Sequence, residues 1–179
     1  MSGSLEPRPV DELTGEVRAW VELSGARLAG DPLAIIRVLS HQPHFVEPFL
    51  RWSAALAAAP ALGVRRHELA CLRVAWRFDS AYEWDNHEPI AREAGVTDVE
   101  LDALRREEPS DTDPTTFGDD DAAVVAFVDS MVAGTVTAEA RADVVARFGA
   151  DAAVELVWTV GQYAGLSLVA NALEIDADI

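Results

Sequence analysis

The chain has 179 residues, half of them hydrophobic, and sets 14 arginines and no lysine against 31 acidic residues, for a formal net charge of −17. So acidic a surface repels nucleic acid and anionic lipid, and neither is expected as a partner. The lack of lysine excludes Schiff-base chemistry, including pyridoxal-type and aldolase-type catalysis, and a lysine-centred phosphate loop.

Punctuation by glycine, proline and capping residues divides the chain into helices. Positions 13, 17, 20, 21 and 28 form an apolar stripe that predicts a helix over 11–29, ended by Gly30, Asp31 and Pro32. A short helix follows from Pro32, stopped by Pro43, and another runs over 44–56 and ends at Pro60 and Gly63. Residues 64–78 are apolar on more than one side, which predicts a buried helix. Ser80 then reads as an N-cap with Glu83 at the N3 position, the capping-box spacing, for a helix that ends at Gly95. Thr97 opens a short helix over 97–107. Residues 107–121 are acidic and hold two prolines and a glycine, which predicts a surface loop. Helices resume over 121–133 and 137–148, and the last, 150–173, is apolar on most of its surface. A helix of that kind belongs in a core or a subunit interface. With no convincing strand pattern, the expectation is a single all-α domain over residues 1–179 that self-associates.

No run approaches the roughly 20 apolar residues that span a bilayer, and no signal-peptide pattern opens the chain. A cytoplasmic protein with no membrane partner is expected. Cys71 is the only cysteine, so an internal disulfide, a CxxC redox pair and a thiolate zinc site are excluded. It reads as a small buried hydrophobe, with a reactive thiol beside Glu68 as the alternative.

The proton-handling groups concentrate in one place. Ser80, Glu83 and His87 are spaced three and four residues apart, so one helix presents all three on one face. Glu68, one helix upstream, reaches that face only across a helix–helix contact. A carboxylate beside an imidazole can move a proton, because each tunes the other's pKa. Other readings stay open: Glu83 as a mere capping acid, Glu68 as a partner of Arg65 or Arg73, and Tyr82 and Trp84 as packing rather than substrate contacts. Arg73 or Arg77 could clamp a substrate carboxylate. Carboxylate and imidazole also suit a divalent metal, but no paired-histidine spacing supports one, so no metal is expected.

The stretch RRHELACLRVAWRFDSAYEWDNHEPIAREAGVTDVELDALR resembles the core of the carboxymuconolactone decarboxylase and alkyl hydroperoxidase D superfamily, closely over residues 62–106. The segment ELVWTVGQYAGLSLVANALEI is similar to that family's last core helix. The resemblance implies a compact multi-helix alkyl hydroperoxidase D-like bundle that forms dimers, trimers or hexamers. In the family's peroxidase branch a glutamate precedes a CxxC pair and a histidine. Those positions fall here on Glu68, Ser80, Glu83 and His87, so both redox atoms are missing, and thiol peroxidase activity does not carry over. The decarboxylase branch's own active-site pattern is not recognisable, and the chain reads as a cysteine-less YEW..H subgroup. The expectation is a cofactor-independent acid–base enzyme, lyase or isomerase in type, acting on a small organic acid, lactone or enolisable carbonyl compound. Glu68, Glu83 and His87 are its expected catalytic residues, and Ser80, Tyr82 and Trp84 its substrate contacts. The alternative is a non-catalytic ligand binder or scaffold.

Overall fold

The computed structural model describes residues 5–28, 31–58, 61–106, 116–176 and 178. Among them are eight α-helices and one two-residue antiparallel ladder, Arg27–Leu28 (β1) with Asp31–Pro32 (β2), so the fold is all-α as expected.

A 3-10 turn at Val10–Glu12 precedes α1 (Gly15–Ser24), so the first helix is shorter than its apolar stripe predicts. Thr14 caps its start by accepting from the Val17 amide, and Gly25 ends it in the left-handed conformation. Next come α2 (Ala34–Leu39), α3 (Val46–Ala57), α4 (Val64–Arg77), α5 (Ala81–Glu93) and α6 (Asp98–Leu104). After the predicted acidic loop, of which 107–115 lie outside the described residues, come α7 (Asp119–Val132) and α8 (Ala138–Ala172). The loop prediction runs too far. Asp119, Asp120 and Asp121 form the first turn of α7, where carboxylates suit the positive end of the helix dipole. The break predicted before residue 150 is present: Gly149 has φ 85°, outside the helical range, and divides α8 in two.

Helix α4 is the centre of the bundle and packs on α5, α7 and α8. Leu69, Leu72 and Ala75 bury one side against Trp84 and Ala91 of α5, Leu101 and Leu104 of α6 and Val125 of α7. Ala70 and Val74 bury the other against Val124 and Val128 of α7 and Leu156 and Val160 of α8. A third cluster joins α1, α2 and α3 to Tyr82 at the start of α5. Arg73, fully buried on α4, is held by Asp129 at 2.7 and 3.0 Å and by the carbonyls of Leu104 and Arg106. Arg77 lies 3.8 Å from the same aspartate. Both arginines anchor α4 to α7, so the reading of either as a substrate clamp is corrected.

By length and composition alone, α8 is apolar enough to cross a membrane, contrary to the expectation that no run approaches that limit. Its inner side is the spine of the bundle, against α4, α5 and α7.

Candidate active site

The turn between α4 and α5 sets the site. Asp79 takes φ 51°, and the Ser80 amide donates back to the Ala75 carbonyl at 2.9 Å, which closes the end of α4. Ser80 Oγ then accepts from the Glu83 amide at 3.4 Å and starts α5. Only half of the predicted capping box forms. With the Ser80 amide occupied by Ala75, the Glu83 carboxyl is released from capping; the complete, reciprocal box is at Thr97 and Glu100.

Helices α4 and α5 lie side by side, and this contact brings Glu68, Glu83 and His87 together. His87 Nδ1 is 2.8 Å from Glu68 Oε2 and its Nε2 is 3.7 Å from Glu83 Oε2. The imidazole thus has a carboxylate on each nitrogen, one from the preceding helix and one from its own first turn. Both glutamates are buried, at 4% and 3% exposure. Pro89, two residues past His87, sits inside α5 and denies the Asp85 carbonyl its helical donor without ending the helix.

Burial pushes the Glu83 pKa up to about 7, against the opposing charge of His87. Burial alone would lower the His87 pKa, but the Glu68 hydrogen bond and the charges of Glu68 and Glu83 outweigh it and raise the value. A carboxyl that titrates near neutrality therefore faces an imidazole held toward its charged form, an arrangement that can exchange protons with a third molecule.

A cavity of about 390 Å³ opens on this pair. Its lining includes Glu83, Asn86 and His87 of α5 and Tyr163 of α8, together with Tyr82 and, from α3, Ser53. Leu33, Ile35, Pro89, Ile90 and Leu166 supply the apolar remainder. The size lies within the range of small-molecule sites. Glu68 stands behind His87, outside the lining.

The other predicted contacts separate. Tyr82 lines the cavity, but its hydroxyl donates to Asp178 Oδ2 at 3.0 Å and accepts from the Ile35 amide at 3.4 Å, which ties α5 to α2 and to the C-terminal segment. Ser80 and Trp84 line a different, shallower pocket with Asp79 and Arg105. The Trp84 indole donates to Glu88 and its ring lies under the Arg105 guanidinium.

Tyr163 is the residue that the spacing of Glu68, Glu83 and His87 does not reveal. Its ring packs edge-on against His87, with centroids 4.7 Å apart, and against His67 at 5.7 Å. Its hydroxyl is hydrogen-bonded to Cys71 and lies 3.5 Å from His67 Nε2. A lone tyrosine between Gly161 and Gly165 in an otherwise apolar helix is the only sequence signal for it. Burial holds the His67 pKa down, so this second histidine stays neutral near pH 7. Ligand-type atoms of Glu68, Cys71 and His87 lie within 4.8 Å of one another. Cys71 is fully buried and its pKa is pushed well up, so the free thiol keeps its proton and lacks the thiolate that redox attack requires.

Among curated proteins, none matches the chain. A family model does, over residues 43–113, a span that runs from the turn before α3 past α6 and includes Glu68, Glu83 and His87. The helical pair that builds the proton-handling site lies in the matched part, which is similar to the carboxymuconolactone decarboxylase family over residues 43–113.

Proposed function

We propose that the protein is an acid–base enzyme that moves a proton at carbon in a small enolisable carbonyl compound, as a decarboxylation, isomerisation, dehydration or cyclisation requires. The observation that carries this reading is the position of Glu83 and His87. The two side chains lie 3.7 Å apart, both on the wall of one cavity, and Glu83 is buried enough to titrate near neutrality.

In this reading the Glu83 carboxylate takes a proton from the carbon next to the carbonyl. The His87 imidazolium, kept charged by Glu68, donates its Nε2 proton to the oxygen that gains charge. Reprotonation from Glu83 at a second carbon isomerises the substrate, loss of a leaving group completes an elimination, and in either case the oxygen returns its proton to His87 as the carbonyl re-forms. Glu68 touches no substrate and is a positioning residue: its 2.8 Å bond to Nδ1 fixes the ring and leaves Nε2 toward the cavity.

The test is solvent deuterium exchange next to the carbonyl in a panel of cyclic ketones and lactones, followed by NMR. Wild-type protein should exceed buffer, and Glu83→Gln and His87→Ala should each remove most of the excess, about 10²–10⁴-fold for a positioned acid or base. Glu68→Gln should be milder, changing the pH profile more than the maximum rate. Saturable binding across the panel with no exchange above buffer would favour a non-catalytic binder instead.

A further inference from the structure

Helix α8 carries a regular seam on its outer side. Val154, Trp158, Gly161, Gly165, Leu168 and Ala172 follow one another at spacings of 4, 3, 4, 3 and 4, and all six are exposed. At about 100° per residue they fall in one straight band over about five turns, about 27 Å long. Tyr163, midway along, projects from the opposite side of the helix to the cavity wall beside His87. The two glycines have no explanation inside the chain. Both are helical, and a glycine in a helix interior weakens the helix relative to alanine. Neither takes a positive φ, and a Cβ at either would meet nothing within 4 Å. What glycine provides at such a place is the close approach of a backbone from outside.

The seam is also free of charge. No charged residue stands between Glu155 and Glu174, in a chain that is 25% charged. The polar residues beside it are bound within the chain: Glu155 to the amides of Ala61 and Leu62, Gln162 to the Trp52 indole, Asn171 to the Phe78 carbonyl. Two chains that each carry a net charge of −17 can approach closely only through such a face. Its spacing reads the same in both directions, so a second copy running antiparallel sets Val154 against Ala172, Trp158 against Leu168 and Gly161 against Gly165. Each larger side chain then meets a smaller one, and the backbones meet at glycines. A groove of about 290 Å³ beside Val154 and Trp158, lined also by Phe127 and Val144, lies at the end where Leu168 of the second copy arrives. A parallel pair would stack Trp158 on itself and bring together Asp143, Asp151 and Glu155, which all lie toward one end of α8. The helix dipoles also favour the antiparallel order.

We infer that two copies of this chain pair antiparallel along α8, with Gly161 and Gly165 at the closest approach and Tyr163 of each copy turned away from the contact toward its own cavity. The pairing stands independently of the acid–base reading of that cavity.

The test combines Gly161→Leu and Gly165→Leu in the full chain and reads the mass by light scattering. Wild type should return more than one chain. The variant should return a single chain of 19.3 kDa with unchanged circular dichroism, because at both positions the single chain leaves open space. A variant that keeps the wild-type mass overturns the inference. So does a wild-type mass of one chain, whether or not the face then binds lipid vesicles. The direction is read by a short thiol-reactive bis-maleimide in a Cys71→Ser background, which leaves no other cysteine. A chain with both Val154→Cys and Ala172→Cys should cross-link to a covalent dimer. A chain with either change alone should not, since like positions lie about 27 Å apart in an antiparallel pair. Failure of the double variant to cross-link, or cross-linking of a single variant to the same extent, overturns the antiparallel pairing.

Discussion

At the scale of single residues, burial decides the chemistry. Glu83 and Cys71 sit close to the same histidine, but burial leaves one titrating near neutral pH and keeps the other a protonated thiol. A hydroperoxide assay coupled to a dithiol reductant should therefore stay at background, and Cys71→Ser should leave it there; cysteine-dependent turnover would contradict this. Glu83 also ties stability to pH. Its pKa is raised from 4.5 to about 7 on folding, so between those values the folded state holds a proton that the unfolded state has lost. Stability due to this group is retained below the lower value and falls as pH rises through the upper one, by an amount on the order of 3 kcal/mol. The raised His87 pKa acts in the same direction, above its unfolded value of 6.5. Thermal melts from pH 5 to 8, about the range between these values, should show wild type losing more stability than Glu83→Gln. Parallel curves would contradict the burial argument.

At the scale of elements, the sequence is most legible where local chemistry ends a helix. Thr97 and Gly149 sit at boundaries that capping and glycine rules anticipate, whereas α1 stops at Gly25, inside the helix predicted over 11–29. The rules fail where tertiary contacts decide. Pro89 is held inside α5, and Asp119–Asp121 are helical because Arg65 and Arg66 of α4 and Arg147 of α8 bind two of those three carboxylates. The site divides the same way. Glu83 and His87 follow from spacing on one helix, and Glu68 from the family resemblance. Ser53, Asn86, Tyr163 and Asp178 come together only through packing of segments far apart in the chain, which no local pattern encodes. Two substitutions separate framework from chemistry. Ser80→Ala should cost about 1 kcal/mol as a lost cap and leave ligand binding in the Glu83–His87 cavity unchanged. Arg73→Met should cost about 2–4 kcal/mol, because it leaves Asp129 only the longer Arg77 contact and strands two carbonyls at the α4–α7 contact. Urea unfolding measures both, and a cost for Arg73→Met no larger than for Ser80→Ala would contradict the anchoring role.

At the scale of the molecule, α8 faces two ways. Its inner side completes the core, while Val154, Val157, Trp158, Leu168 and Val169 stay exposed on the outer side, and Val145 extends that surface beyond Gly149. A run of that kind on a monomer is an interaction surface. We propose that it joins copies of this chain as a dimer, trimer or hexamer. Light scattering at micromolar concentration should return a multiple of 19.3 kDa, and Trp158→Glu with Val154→Glu should shift the mass to one chain. A wild-type mass of one chain would contradict the proposal.

The central claim is that Glu83 and His87 share a proton-transfer site, and it can be tested before any substrate is known. Carbon-13 and nitrogen-15 NMR titration should give a Glu83 carboxyl midpoint near 7, echoed in the His87 Nε2 signal, since coupled groups show each other's titration. Glu68→Gln should lower the His87 midpoint. A Glu83 carboxyl that titrates near its ordinary 4.5 with no echo in His87 would contradict the claim.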